Sequence, residues 1–262
     1  DPASDPGLGE YARSYHELRF RRGVTHTRAE LLLTNSAIHF ALMMVRKGDA
    51  EGAVLGLKTP YHEVLRPALQ MIGLDPAVKR LLGMSMITDK RGRPLFFADC
   101  LVNEDPDAEE LASIAIPAAD AVRACDIEPR VAFLSFSNFG SVTYERATKV
   151  RRAVDIARNA RPDIVMDGEM QPQLALNSHY REEHYPFSKL RGDANVLVLP
   201  DLDAASIATR LASELIGSSL VGPILVGLDK PVAALPQGCT AEEIVNLTAF
   251  VAIRSGAEMT WG

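Results

Sequence analysis

From residue 131 onward the chain alternates between two patterns, and that alternation limits its fold more than any other feature. Short apolar runs occupy 131–137, 164–170, 195–199 and 224–228. Longer segments at 144–159, 204–216 and 241–255 carry apolar residues at helical spacing. Runs that are apolar on both faces suit strands covered on both sides, and amphipathic helices supply the cover. Strands joined through crossover helices lie parallel in one sheet. The expectation is an α/β protein with largely parallel sheets.

The first half is less regular. Residues 1–9 are rich in Pro, Gly and Asp and read as loose. Tyr11, Tyr15 and Leu18 recur at helical spacing, with Gly23 as a stop. A second helix is expected from a Thr27–Glu30 capping box to Gly48. Residues 53–57 read as a buried strand, and Leu65, Leu69 and Ile72 mark a helix ending at Gly73. Residues 84–88 and 94–100 read as a hairpin joined by the polar turn DKRGR. Asp105-Pro106 is the expected start of a helix running to Cys125, which Pro117 should kink or divide.

Composition excludes some functions. A net charge of −6 argues against a nucleic-acid partner, which needs a basic stripe along the phosphates. Three widely spaced cysteines make neither a disulfide framework nor a zinc site, and fit a reducing cytoplasm. No apolar run reaches the length of a membrane span.

In an open parallel sheet, ligands bind beyond the carboxyl ends of the strands. Three such ends stand out. SFSNFGS at 135–141 offers Ser135, Ser137, Asn138, Gly140 and Ser141, whose hydroxyls and amides can face an anion; an ordinary strand-to-helix turn is the plainer reading. PDLDAAS at 200–206 supplies Asp201 or Asp203 as a helix cap. GLDKPVAALPQGCT at 227–240 reads as a long functional loop with Lys230 and Gly238. Arg19, Arg21 and Arg22 stand at a helix end and Arg66 mid-helix. Guanidinium groups hold phosphate through paired N–H donors, but a solvated helix end explains such arginines as well. DGE at 167–169 ends a strand with two carboxylates, too few ligands for a metal site. No P-loop, HExxH or GxSxG occurs, and GLGEYA at 7–12 follows no strand.

A larger pattern joins these pieces. YHELRFRRGVT, GLKTPYHEVLRPALQMIG, LFFADCLVN, PDAEELASIAI, VAFLSFSNFGS, RPDIVMDGEMQPQLAL, ANVLVLPDLDAASIA and GPILVGLDKPV occur in this order along most of the chain. Together they resemble the phosphate acetyl/butyryl transferase family. SFSNFGS and the run KVRRAVDIARNARPDIVMDGEM are most similar to one subgroup, the C-terminal transacetylase-like domain of bacterial NADP-dependent malic enzymes.

The resemblance implies two α/β lobes with a cleft, similar to the isocitrate and isopropylmalate dehydrogenases, paired as a homodimer or higher homo-oligomer. Lobe I would be about 1–77 plus 223–262, lacking the family's leading segment upstream of Asp1, and lobe II about 78–222, with the dimer interface. It implies anion-binding arginines at Arg19 and Arg66. Family members also carry a Ser-Arg pair in an LSRGCS loop, with an Asp four residues after the Cys. Here those positions are Pro236, Gln237 and Glu243, so no catalytic residue is assigned. Thr240 and Glu243 instead read as a capping box. GNIAYK of the family has drifted to Ala205–Arg210, and DKRGR replaces a longer insertion. The subgroup implies a non-catalytic domain that binds acetyl-CoA as an effector and controls an N-terminal malic enzyme domain of the same polypeptide. NADP and Mg or Mn would belong to that domain. A working phosphate acetyltransferase and a ligand-free dimerisation scaffold are the alternatives.

Overall fold

Tyr11, Ala12 and Tyr15 bury one face of α1 (Leu8–Arg19). A 3-10 turn, Phe20–Arg22, ends at Gly23, whose φ of 79° reverses the chain where a side chain would be strained. Two helices then follow in place of the single expected one. In α2 (His26–Asn35) the cap is Thr25 rather than Thr27, its hydroxyl accepting from the Arg28 amide. Ser36 breaks the run in an extended conformation and caps α3 (Ala37–Lys47) through the His39 amide. A serine bonded to the amide three residues on competes with continued helix, which explains the break. Gly48, at φ 85°, ends α3.

β1 (Ala53–Gly56) and α4 (Tyr61–Met71) come next, with Gly73 at φ 83° beyond the helix. The hairpin is present as β2 (Leu82–Thr88) and β3 (Pro94–Ala98), in antiparallel register from Met84↔Ala98 to Thr88↔Pro94. The following helix, α5 (Ala108–Arg123), starts two residues later than expected. Asp107 and Glu110 form a full capping box that outcompetes the Asp105-Pro106 start. Pro117 does not divide α5; it is buried inside a continuous helix.

β4 (Arg130–Leu134), α6 (Glu145–Ala160) and β5 (Val165–Met170) continue the alternation. Two short helices, α7 (Pro172–Ala175) and α8 (Ser178–His184), fill a stretch to which the sequence assigns no element. Pro172 at the first helical position and Asn177 as a cap were the available signals. β6 (Val196–Val198), α9 (Leu202–Ile216) and β7 (Val221–Val226) follow, with Asp201 capping α9. The expected long loop at 227–240 contains a strand, β8 (Val232–Leu235), before α10 (Ala241–Ser255).

The computed structural model describes residues 1–217 and 220–256. Residues 257–262, placed by the sequence in the first lobe, lie outside the described residues. Contacts divide the chain into Asp1–Pro76 with Leu228–Gly262, and Ala77–Gly227. In the first unit β1 and β8 pair in parallel, Ala53 opposite Val232 and Gly56 opposite Leu235. The second unit holds β7, β2, β3, β6, β4 and β5 in that spatial order. Its β3–β6, β6–β4 and β4–β5 pairs are parallel, and β2 is antiparallel to both neighbours. Pairing with β2 keeps β7 in this unit. Both units are α/β; β4, β5, β6 and β8 are largely buried, whereas β1, expected as a buried strand, is half-buried beyond Ala53. Among the described residues, no helix is long and apolar enough to cross a membrane.

Candidate functional site

In the first unit the residues gather around a cleft of about 820 Å³. Ligand sites typically occupy a few hundred to about a thousand Å³. Arg19 ends α1, and the turn closed by Gly23 carries Arg22 back to the same wall. The Thr25 cap then launches α2, which adds Arg28. Across the opening, α4 presents His62, Glu63 and Arg66. His62 and Arg66 are one turn apart, so they share a helix face. The structure thus brings Arg19 and Arg66 to one cleft, joined by two further arginines and by His39 of α3.

The electrostatics of this cleft are one-sided. Four guanidinium groups face a single carboxylate, Glu63. None of the four forms an ion pair among the described residues, whereas Arg151, Arg158 and Arg161 elsewhere all do. The Arg19 Nε is buried without a hydrogen-bond partner. A buried N–H of this kind costs about 1–3 kcal/mol unless something accepts from it. His39 bonds Ser36 Oγ through Nδ1 at 2.8 Å, and burial holds its pKa below the ordinary value. This arrangement suits a phosphate group, which accepts several charge-assisted hydrogen bonds.

The SFSNFGS loop does hold an anion, but an internal one. Glu169, at the end of β5, is fully buried beneath it. Ser137 Oγ donates to Glu169 Oε1 at 2.8 Å, and the Gly140 amide at 2.9 Å. Arg151 closes the site, Nε to Oε2 at 2.9 Å and an Nη to Oε1 at 3.0 Å. Burial pushes the Glu169 pKa up; the bonds from Arg151, Gly140 and Ser137 outweigh it, and the net shift is downward. Ser141 Oγ lies 3.0 Å from Ser137 Oγ and accepts from the Asn138 amide. The Asn138 side chain accepts from the Gln171 amide at 2.7 Å. Ser135 is buried, and its Oγ accepts from the Ser137 amide at 3.4 Å. The five loop residues thus stand together, largely committed to holding their own loop. Asp167 is occupied separately, by Ser188 Oγ, the Lys189 amide and Arg158. The DGE carboxylates therefore serve different partners.

In the turn after β8, the Cys239 amide bonds the Pro236 carbonyl and Gly238 has a φ of 78°. The exposed Gln237 side chain donates to the Lys58 carbonyl at 3.4 Å. Glu243 is the closing arm of the α10 capping box: its Oε2 accepts from the Thr240 amide, and its own amide bonds Thr240 Oγ1. Lys230 is exposed at the start of the same segment.

Comparison with known proteins gives these features a frame. The model for phosphate acetyl/butaryl transferase matches residues 1–252. The chain belongs to that family. Relatives within it differ in organisation. The phosphate acetyltransferase of Clostridium acetobutylicum is 38% identical over 262 residues, 97% of this chain and 78% of its own length. The NADP-dependent malic enzyme of Escherichia coli is 37% identical over 255 residues, 96% of this chain but 33% of its own length. Among solved family structures, the EutD phosphotransacetylase of Staphylococcus aureus superposes with a TM-score of 0.89 at 35% identity, covering 97% of this chain and 77% of that one.

Arg22, Arg28, His39 and His62 escaped the sequence reading as members of a common site. Arg22 was visible only as one arginine of a helix end, and the others carried no local signal. Their meeting depends on the turn at Gly23 and the break at Ser36.

Proposed function

We propose that this chain binds acetyl-CoA as an effector and does not transfer its acetyl group to phosphate. In this reading it regulates a malic enzyme domain of the same polypeptide, in the cytoplasm. One observation carries it: the turn from Pro236 to Glu243 lacks the groups that the family's chemistry uses. Transfer to phosphate needs a fixed cation and a donor for the developing oxyanion. Pro236 has neither a side-chain donor nor a backbone N–H. Gln237 is neutral, and its amide is turned to the Lys58 carbonyl. The carboxylate of Glu243 is held by the helix cap. Binding is a lesser demand, and the arginine cleft with its unpartnered Arg19 Nε supports it.

An effector needs a difference in affinity between two states, typically about 1–3 kcal/mol. Hydride transfer with NADP, and the Mg or Mn that malate decarboxylation uses, would belong to the other domain. Among the described residues, no group of three or more His, Cys, Asp or Glu could hold a metal ion.

A working phosphate acetyltransferase is the second reading, and the comparisons favour it. The chain covers 78% of the Clostridium acetobutylicum transferase but 33% of the Escherichia coli malic enzyme, at similar identity. Two measurements separate the readings. Calorimetric titration with acetyl-CoA is expected to show saturable binding; no heat up to millimolar ligand would leave only a scaffold. Formation of acetyl phosphate is expected to lie about 10²-fold or more below that of a working enzyme, and turnover of about 1–10³ s⁻¹ would establish the transferase.

The reading includes a homodimer formed through the second unit. α9 exposes Ile207, Leu211 and Leu215 beside an apolar groove of about 620 Å³. Ala204, Ala208, Leu211 and Leu215, all lining that groove, follow the four-three-four spacing of a helix-pairing seam. Arg210 and Glu214 on the same helix are exposed. Light scattering is expected to give twice the chain mass, and Leu211→Asp to give the single-chain mass. A monomer without substitution would refute this surface.

A further inference from the structure

We propose that Arg28 and His39 are binding residues of the first-unit cleft, and that its occupant is a phosphomonoester dianion bound with uptake of a proton by His39. The inference rests on the acyl-CoA reading for the identity of the occupant and deepens it. Arg19 and Arg66 alone would provide a bidentate clamp for one phosphate. The cleft holds twice that positive charge, with Arg22 and Arg28 added and only Glu63 opposing. Like charges at one opening repel, so the free cleft is poised for an anion that neutralises more than one of them.

His39 lies on the same lining. Ser36 Oγ occupies its Nδ1, and Nε2 has no hydrogen bond among the described residues. The titratable and charged groups that share the cleft lining with it are Arg19 of α1, Arg22 of the following turn, Arg28 of α2, His62, Glu63 and Arg66 of α4, and Tyr15, whose ring centroid lies 6.3 Å from that of His39. Burial favours the neutral ring while the cleft is empty. A bound dianion cancels two of the cleft's positive charges and offers an acceptor to the ring. A proton from solvent then adds to the ring, so that both ring nitrogens carry an N–H and the one on Nε2 donates to a phosphate oxygen. Arg28 contributes charge and direct hydrogen bonds.

Calorimetry with acetyl-CoA at pH 7, in two phosphate-free buffers of different ionisation heat, reads both affinity and protons exchanged. The unsubstituted chain is expected to take up a fraction of a proton on binding. His39→Gln should abolish that uptake, and Arg28→Gln should weaken affinity about tenfold or more. Unchanged melting temperatures show that both variants fold, and the proton count is a readout that a purely structural role would not move. Acetyl-CoA binding with unchanged affinity in Arg28→Gln and unchanged uptake in His39→Gln overturns the inference and leaves the acyl-CoA reading intact. If acetyl-CoA gives no heat, that reading fails, and sodium pyrophosphate becomes the probe. Pyrophosphate binding weakened by Arg28→Gln then supports the cleft as an anion site, and no binding overturns it.

Discussion

Pro236→Ser combined with Gln237→Arg is expected to raise acetyl phosphate formation by about 10²-fold or more over the unsubstituted chain. The gain follows from what each substitution restores. A serine at 236 supplies a hydroxyl and a backbone N–H where proline has neither. An arginine at 237 supplies a permanent charge where the amide now bonds the Lys58 carbonyl. One preorganised oxyanion donor is worth about 10²–10³ in rate. The two are expected to act as a unit, so each single substitution should do little. The turn itself tolerates change, because Gln237 is exposed and Gly238 already supplies the left-handed residue. A coupled assay of acetyl phosphate decides it. A double variant as inactive as its parent, with acetyl-CoA binding retained, would place the missing chemistry elsewhere; high activity in the parent would refute the regulatory reading.

Glu169→Ala should destabilise the second unit by about 3 kcal/mol, because it removes a buried carboxylate that accepts several charge-assisted hydrogen bonds. Glu169 is fully buried and Arg151 is about a third exposed, so water reaches only one side of the pair. Removing the carboxylate strands the Gly140 amide and leaves the Ser137 hydroxyl with Ser141 Oγ and Arg151 with the Val142 carbonyl. For a chain of this size the melting temperature should fall by roughly 6–12 °C. The carboxyl is held below its ordinary value when folded, so its stabilisation is fully present above the ordinary carboxylate range. It is lost as pH falls through the folded value, so Glu169→Ala should flatten the acid limb of the stability curve. Asp99 works in the opposite sense: burial raises its pKa despite amide bonds from Gly83, Leu101 and Asn103. Its cost at neutral pH disappears on acidification. Thermal melts between pH 3 and 7 measure both trends, and an unchanged melting temperature for Glu169→Ala would mean the loop holds without its internal anion.

Elements whose signals were local and repeated could be read directly. The alternation after residue 131 gave the strands and helices of the second half, because burial on both faces and helical periodicity are properties of the segment itself. Gly23, Gly48 and Gly73 marked turns that need a positive φ, and each has one. Thr240 and Glu243 formed their capping box as read. Misreadings arose where two local signals competed. Thr27 and Thr25 both resemble caps, as do Asp105 and Asp107, and the winner is the one whose amide three residues on comes within reach. β8 was hidden because Pro231 and Pro236 frame a run of four residues, and only pairing with β1 makes it a strand.

What the sequence determined by itself is the class of fold, the family, and the absence of the Ser-Arg pair at 236–237. Each is a property of residue identity and order along the chain. The tertiary structure alone decided that four arginines share one cleft, and that the SFSNFGS loop is folded around Glu169. Both depend on which segments turn back to meet each other. An arginine at a helix end looks the same in sequence whether it faces water or a phosphate, and only the neighbours brought to it by folding distinguish the two.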